Sequence, residues 1–358
     1  MPVASRSGGD PRVVTVAVDA NGADLGPAEV AAGAALAVQR GGIRVLLFGP
    51  ADQLRDVGDG VEVIDAPVSI AKVAEPASAV RAHPDASIVQ AWRAVADGKA
   101  EALVSGGSTG TALAAGLFNV KRARGIYRPA LAVTLPVPKR AVTLLDVGAN
   151  TDVRTEQLVQ FAYMGAAYAT AVLDVKRPLV GLLNIGEEET RGTPQLFEVY
   201  EQLAAATTPA FEFVGNVEGH HFAEGEIDIV VSDGFTGNVA LKFAEAVSSK
   251  TIDVVDDARN DNLRSRIGGW LLDPAIRRAR TSIDPAVTGG AYMLGLRQLG
   301  VVPHGRFGRF GISQAILRAA HGVEENLIER THSTLEAAGV LRRQAQESPL
   351  EPPASVRS

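Results

Sequence analysis

The sequence contains no cysteine, which excludes a disulfide framework, a thiolate metal site and a cysteine nucleophile. It also has no long apolar run: the longest are the length of a β-strand, so no segment is predicted to span a bilayer. Basic residues are not in excess, because 35 Lys and Arg stand against 41 Asp and Glu. The resulting net charge of -6 argues against nucleic acid as a partner.

What remains is an ordinary globular composition, with 46% hydrophobic residues among 358. Residues 1–12 lack the apolar core and cleavage site of a secretory signal and are predicted to form a disordered leader. Residues 341–358 are polar and proline-rich, which predicts a disordered tail. Residues 13–340 are predicted to form a single α/β domain, with a polar helical excursion at about 248–285.

Short apolar runs alternate with helical patterns along the domain. Strands are predicted at residues 13–18, 43–48, 61–64, 102–105, 142–145, 179–184, 211–214 and 227–231. Helices are predicted at residues 28–39, 87–96, 156–173 and 194–206. Near-continuous apolar strands separated by helices are typical of a parallel sheet that is covered on both faces. The predicted fold class is therefore α/β, a three-layer sandwich with a mostly parallel, Rossmann-like sheet.

Five segments rich in glycine and polar residues follow predicted strands. They are residues 19–24, 105–110, 146–150, 184–189 and 233–238. In open α/β sheets, ligands bind beyond the carboxyl ends of the strands. The recurrence predicts a single polar site along one edge of the sheet.

Two of these segments open helices. The N–H groups of residues 105–110, together with the helix dipole, can hold an anion, although a tight turn without a ligand explains the same pattern. The segment matches neither a P-loop nor a dinucleotide fingerprint. In residues 233–238, Asn238 suits a phosphate or a carbonyl oxygen and Asp233 could position a base or cation. The alternative role of Asp233 is an N-cap.

Charged residues and histidines offer further candidates. The acids at 187–189 adjoin Arg191, and they either form a solvated charge run or hold Arg191 toward phosphate. His220 and His221 are adjacent, so their side chains should diverge in an extended strand, and no metal site is predicted. His304 lies in an arginine-rich loop, where it contacts an anion or is an ordinary surface histidine.

The excursion carries apolar residues at helical spacing, surrounded by arginines, and Pro274 is expected to break it into a helical hairpin. Ile267, Trp270 and Leu271 are predicted to contact an anionic lipid surface. Burial of the same residues in a dimer interface is the alternative.

Taken together, the motifs resemble those of the acyl carrier protein:phosphate acyltransferases, in family order over residues 13–330. Residues 19–24 are similar to that family's Asp-Ala-Met-Gly-Gly-Asp, and residues 105–110 to its Ser-Ala-Gly-Asn-Thr-Gly. The other similar segments are residues 128–131, 145–150, 181–188, 215–219, 233–238 with Leu241 and Lys242, and His304 with Gly305. Ser108 stands where Asn is usual, Arg191 stands where Lys is common, and residues 306–309 are more basic than is usual.

The resemblance implies a fold of the phosphotransacylase and isopropylmalate dehydrogenase type, and a homodimer whose hairpin approaches the membrane. It implies transfer of a long-chain acyl group from acyl carrier protein to inorganic phosphate, without a cofactor or metal. The product would serve phospholipid synthesis through a downstream glycerol-3-phosphate acyltransferase. The implied location is cytoplasmic, at the inner face of the plasma membrane.

Site residues carry over by position. Phosphate is expected at residues 105–110 and Arg191, Asn238 is expected to polarise the carbonyl, and Asp233 is expected to orient Lys242 or Arg191. The expected substrate-binding residues are Asp19, Gly22, Ser105, Gly107, Ser108, Thr109, Gly110, Asn150, Asn184, Glu187, Asn216 and His304.

Three other functions fit parts of the pattern. A short-chain phosphotransacylase using coenzyme A has the same fold but less use for an arginine- and tryptophan-bearing hairpin. A decarboxylating dehydrogenase requires carboxylates arranged for a divalent metal, and the acids here are not so placed. A non-catalytic membrane scaffold leaves the five polar loops unexplained.

Overall fold

The computed structural model describes residues 12–55, 57–137 and 140–342. Most of the predicted leader and tail therefore lies outside the described residues. At the carboxyl end, Leu341 packs against the hydrophobic core, and the Arg342 N–H donates to the Gly125 carbonyl at 2.8 Å. The domain thus continues past the predicted boundary at 340.

The described residues form one sheet between two layers of helices. The strands are β1 (Val14–Asp19), β2 (Ile43–Gly49), β3 (Val61–Asp65), β4 (Ala102–Ser105), β5 (Ala130–Leu135), β6 (Val142–Leu145), β7 (Leu179–Leu183), β8 (Glu212–Val217), β9 (Ile229–Val231), β10 (Ala291–Leu294) and β11 (Leu299–Val302). The helices are α1 (Pro27–Val38), α2 (Pro76–Ala82), α3 (Ser87–Ala96), α4 (Thr109–Asn119), α5 (Thr155–Val172), α6 (Pro194–Ala204), α7 (His221–Glu224), α8 (Gly234–Asn260), α9 (Leu263–Ile283), α10 (Pro285–Thr288), α11 (Arg309–Glu324) and α12 (Leu327–Ala337).

The predicted fold class is confirmed: the molecule is a three-layer α/β sandwich with a mostly parallel sheet. Each face of the sheet carries its own hydrophobic core. On one face α1 packs closely on α11, since a Cβ on Gly33 would lie 2.7 Å from Ile312 Cβ. On the other, Trp92 of α3 is fully buried and donates to the Ala112 carbonyl of α4 at 3.0 Å.

The strand order is β3-β2-β1-β4-β11-β10-β5-β6-β9-β7-β8. Strands β10 and β5 are antiparallel to both of their neighbours, so the two parallel halves of the sheet run in opposite directions. The reversal arises because only residues 136–141 join β5 to β6, too few for a parallel crossover. The prediction of one site along one sheet edge was therefore wrong, since the two halves end at opposite edges.

The helical excursion is a hairpin of α8 and α9, longer than predicted. Pro274 lies inside α9 and does not break it. The chain turns instead before α9, where Asn262 caps the helix by accepting from the Ser265 N–H at 3.0 Å. Cross-helix ion pairs hold the two helices together on either side of Pro274: Arg259 with Asp273 at 2.6 Å, and Arg280 with Asp256.

The hairpin is amphipathic rather than apolar all round. Ile267, Trp270 and Leu271 are 57%, 74% and 66% exposed. Within the described ranges, no helix combines the length and apolar character needed to cross a membrane.

Candidate functional site

A cleft of about 220 Å³ lies over the centre of the sheet, where the two halves meet. Its lining comes from both halves and from the loop after β11. Its polar side chains include Ser108, Thr109, Asn238, Lys242, Glu245 and His304. The structure therefore brings together residues from three of the predicted segments, far apart in the chain.

The first wall of the cleft is the loop after β4, and the loop after β1 packs against it from behind. Gly22 has a φ of 115°, and a Cβ there would lie 2.8 Å from the Gly107 Cα, so only glycine permits this close approach. The Asp24 N–H donates to the Gly305 carbonyl at 2.8 Å, which adds the loop after β11 to the same wall.

Asp19 anchors this wall from below. Its carboxylate accepts from the hydroxyls of Ser87 at 2.6 Å and Ser105 at 2.8 Å, and from the Asn21 N–H at 3.2 Å. Burial raises the pKa of Asp19 from 3.8 to about 6, although the three hydrogen bonds oppose that shift. Asp19 and Ser105, both predicted to bind substrate, thus position the turn from beneath.

The raised pKa of Asp19 predicts a pH dependence of stability. Between pH 3.8 and about 6 the folded protein keeps a proton that the unfolded chain releases, so its unfolding free energy falls as pH rises. From pH 4.5 to pH 7.5 the wild type should lose about 2 kcal/mol relative to Asp19→Asn. Urea denaturation at both pH values measures this difference. Asp97→Asn, at an exposed position, serves as the control for loss of a carboxylate. Equal slopes for wild type and Asp19→Asn would contradict the assignment.

The turn at 105–110 opens α4 and offers backbone donors. Ser108 caps the helix, accepting from the Thr111 N–H at 3.2 Å and donating to the Thr111 hydroxyl at 2.8 Å. The first-turn N–H groups of Thr109 and Gly110 have no intrahelical partner, as in any α-helix. They lie beside the cleft at the positive end of the helix dipole, which favours an anion there.

The opposite wall is the start of α8, held against the loop after β6. Asp233 is an N-cap: it accepts from the Thr236 N–H at 2.8 Å and the Thr236 hydroxyl at 2.6 Å. The expectation that Asp233 orients Lys242 or Arg191 was wrong, because these bonds turn its carboxylate to its own helix. Gly237 packs so closely on that loop that a Cβ would lie 2.0 Å from the Asp146 carbonyl oxygen.

Asp146 organises the loop after β6. Its carboxylate accepts from the N–H groups of Leu131, Gly148, Ala149 and Asn150 at 2.7 to 3.2 Å, and from the Asn150 amide at 2.9 Å. Burial raises the pKa of Asp146, although the hydrogen bonds from Leu131, Ala149 and Asn150 oppose that shift. Asn150 is therefore engaged in holding the loop, and sequence reasoning missed Asp146 as the residue on which the wall depends.

Asn238 faces the cleft from the first turns of α8. Its amide nitrogen donates to the Val147 carbonyl at 2.9 Å, which sets the orientation of the side chain. A side-chain amide has two N–H donors and an acceptor oxygen, so one donor and the oxygen remain for a ligand. This position fits the predicted role of polarising a carbonyl.

Lys242 follows one turn later and pairs with Glu245 at 2.8 Å. His304 lies 3.9 Å from the same carboxylate, and burial together with the charge of Lys242 lowers its pKa. His304 Nδ1 accepts from the Arg306 N–H at 3.2 Å, so the neutral ring carries its proton on Nε2 as a donor. Glu245 was missed, although its spacing from Asn238 and Lys242 places it on the same helix face.

The loops after β7 and β8 form a separate cluster. Strands β11, β10, β5, β6 and β9 lie between β4 and β7, and Arg191 does not line the cleft. Arg191 instead pairs with Glu188 through two hydrogen bonds of 2.9 and 3.2 Å. The expected joint phosphate site of residues 105–110 and Arg191 was therefore wrong.

Two further predicted binding residues brace this cluster. The Asn184 amide donates to the Arg191 carbonyl at 2.9 Å, and the Asn216 amide to the Glu188 carbonyl at 2.8 Å. His220 and His221 lie in a turn rather than an extended strand, and their rings are 4.0 Å apart at the centroids. The expectation that they diverge was wrong, because the chain begins α7 at this point.

Comparison with known proteins identifies the family. Residues 14–330 match the family described as fatty acid synthesis protein. The chain is 39% identical over 327 residues to the phosphate acyltransferase of Cyanothece sp., covering 89% of this chain and 94% of the relative. It is also 39% identical over 332 residues to the phosphate acyltransferase of Gloeobacter violaceus, covering 90% and 97%.

Solved structures agree on the fold. A phosphotransacetylase from Streptococcus pyogenes superimposes with a TM-score of 0.59 at 17% identity, covering 87% of this chain and 94% of that one. A phosphotransacetylase from Staphylococcus aureus gives 0.57 at 16% identity, covering 86% and 94%. The match over nearly the whole domain, with the identity to the named relatives, shows that the chain belongs to the phosphate acyltransferase family of enzymes.

Proposed function

We propose that this enzyme transfers a long-chain acyl group from acyl carrier protein to inorganic phosphate. The main support is the cleft, which is lined by the first residues of α4, with their free N–H groups, and by Asn238, Lys242 and His304. Such a site offers donors to two anions at once, a phosphate and the oxyanion that develops on a thioester carbonyl.

In this mechanism a phosphate oxygen attacks the thioester carbonyl carbon. The new C–O bond forms, the carbonyl electrons move to oxygen, and their return breaks the C–S bond and releases the thiolate. The first turn of α4 and Lys242 hold the phosphate, while Asn238 donates to the oxyanion. Phosphate is already anionic near neutral pH, so the main work of the site is to align the reactants and exclude water.

Support for a thioester donor on a phosphopantetheine arm comes from a second cavity of about 670 Å³ that adjoins the cleft. The two share Lys242, Glu245, His304 and Phe307. The cations Lys250, Arg280 and Arg306 also line it. A thioester on a phosphopantetheine arm, carried by either a carrier protein or coenzyme A, brings an anionic phosphate group. Arg306 offers positive charge to that group, whereas Lys250 and Arg280 are paired with Asp253 and Asp256.

The test is formation of acyl phosphate from phosphate and either a long-chain carrier-protein thioester or the matching coenzyme A thioester. We expect turnover with the carrier-protein donor, and about a fivefold higher KM for it in Arg306→Ala with kcat little changed, the size of one partly exposed charge contact. The matched control is Arg40→Ala, which removes an arginine just after the carboxyl end of α1, outside both cavities. Faster turnover with short coenzyme A thioesters would show that coenzyme A, rather than carrier protein, carries the acyl group. Absence of turnover with both thioesters would favour a non-catalytic membrane scaffold.

The hairpin supports a proposal of membrane contact. Ile267, Trp270 and Leu271 expose apolar surface beside arginines, a combination that binds anionic interfaces. Peripheral attachment at the cytoplasmic face would deliver acyl phosphate to a downstream glycerol-3-phosphate acyltransferase. Trp270→Ala should reduce cosedimentation with anionic vesicles several-fold, while the exposed Asn260→Ala should not. Equal binding of the two variants would refute the contact.

The base of α8 supports a proposal of homodimer formation. Large apolar side chains recur every four residues along this part of the helix and are 46–70% exposed. They form one apolar stripe of Phe235, Val239, Phe243 and Val247. A second copy of the chain would cover such a stripe. Sedimentation at micromolar concentration tests this assembly, and a monomer would contradict it.

A further inference from the structure

The most informative feature outside the cleft is the pair of histidines at the start of α7. Glu187, His220 and His221 each offer one ligand atom, and these atoms all lie within 4.8 Å of one another. His221 Nε2 is 3.2 Å from the Glu187 carboxylate. We propose that these three side chains form a binding site for a divalent transition-metal ion such as Zn²⁺.

Hydrogen bonding to Glu218 orients both imidazoles. The Glu218 N–H lies 3.0 Å from His221 Nδ1, and the Glu218 carbonyl lies 3.3 Å from the same atom. With the proton on Nε2, His221 accepts from the N–H and donates to Glu187. Binding of a metal at Nε2 requires the proton to move to Nδ1, which then donates to the Glu218 carbonyl in place of accepting from the Glu218 N–H. His220 Nδ1 is likewise 3.4 Å from the Glu218 carboxylate, which leaves its Nε2 for the ion.

The geometry requires only small movements. Tetrahedral zinc with bonds of about 2 Å places ligand atoms about 3.3 Å apart, closer than the 4.8 Å limit of the cluster. His221 is the fixed member, since its side chain is 17% exposed. The Glu187 and His220 side chains are 64% and 55% exposed and can turn toward it.

Two further observations favour a cation here. The surroundings of the cluster are negatively charged, through Glu187, Glu188, Glu189 and Glu218. Among the described ion pairs of these four residues, the only one with an arginine joins Glu188 to Arg191. Beneath the same loops, the buried Asn216 Oδ1 has no hydrogen-bond partner in the described structure. A buried acceptor without a partner suits a bound water molecule.

The donor set indicates the class of metal. Two imidazoles and one carboxylate, with water in the remaining position, suit Zn²⁺, Co²⁺ or Ni²⁺, whereas Mg²⁺ prefers oxygen ligands alone. The ion would join the loop after β7 to the turn after β8, on strands outside the cleft. The site therefore adds a metal-dependent clamp to the fold and takes no part in the proposed transfer.

The experiment uses the full chain without an affinity tag of histidines. Titration with Co²⁺ should produce visible absorption bands at one ion per chain, and Zn²⁺ should displace them and raise the melting temperature. His221→Ala removes a ligand and should weaken binding by more than the about ten- to hundredfold that loss of a residue merely hydrogen-bonded to a ligand costs. The exposed Glu187→Gln should weaken binding without affecting folding. His83→Ala, at an exposed position far along the chain, should bind like wild type. Substoichiometric binding, or equal affinity in wild type and both site variants, would overturn the proposal.

Discussion

Replacement of Asn238 by Ala is expected to lower kcat for acyl-phosphate formation about a hundredfold. Loss of one donor to a developing oxyanion typically costs a factor of about 10² to 10³. Asn238 is the side chain whose amide lines the cleft while Val147 fixes its orientation at 2.9 Å. Because the oxyanion exists only in the transition state, KM for phosphate should change little.

Measurements of stability and of kcat together separate this role of Asn238 from a structural one. Asn238→Ala leaves the Val147 carbonyl without its partner, at a cost of about 1 kcal/mol in stability, so the variant should remain folded at assay temperature. Asn260→Ala removes the same amide from the far end of α8 and should retain full activity. Unchanged kcat in a folded Asn238→Ala enzyme would show that the amide does not stabilise the transition state.

Replacement of Asp146 by Ala is expected to lower the free energy of unfolding by about 4 kcal/mol. Its carboxylate accepts from four backbone N–H groups and one amide, and each buried donor left unsatisfied costs about 1–3 kcal/mol, less where water enters. The loss should also lower activity, because α8 starts against this loop. A Cβ on Gly234 would lie 2.8 Å from the Asp146 carboxylate.

Two companion variants sharpen the Asp146 prediction. Asp146→Asn keeps the shape but only one acceptor oxygen, so about half of the loss is expected. Asp152→Ala, exposed in the same loop, should alter stability by less than about 0.5 kcal/mol. Chemical denaturation measures all three, and a loss below 1 kcal/mol in Asp146→Ala would contradict the view that this carboxylate holds the wall.

Local pattern was sufficient to predict most of the secondary structure. β4, β6 and α3 have the predicted bounds, and the glycine-rich segments do follow strands. Strands β5, β10 and β11 were missed, although they form the centre of the sheet. Their positions in the sheet depend on which apolar runs pair with each other across the chain. Sequence periodicity reports only which faces are buried.

The sequence by itself determined the fold class, the family and the residue types of the site, because these depend on burial pattern and on motifs of a few neighbouring residues. Only the tertiary structure decided which motifs share a site. The order of the strands brings Ser108, Asn238 and His304 to one cleft over the centre of the sheet and leaves Arg191, in the loop after β7, beyond it. It also placed the Asn238 amide against the Val147 carbonyl and His304 beside Glu245. Such contacts join residues from distant parts of the chain, and their formation is decided by packing rather than by local preference.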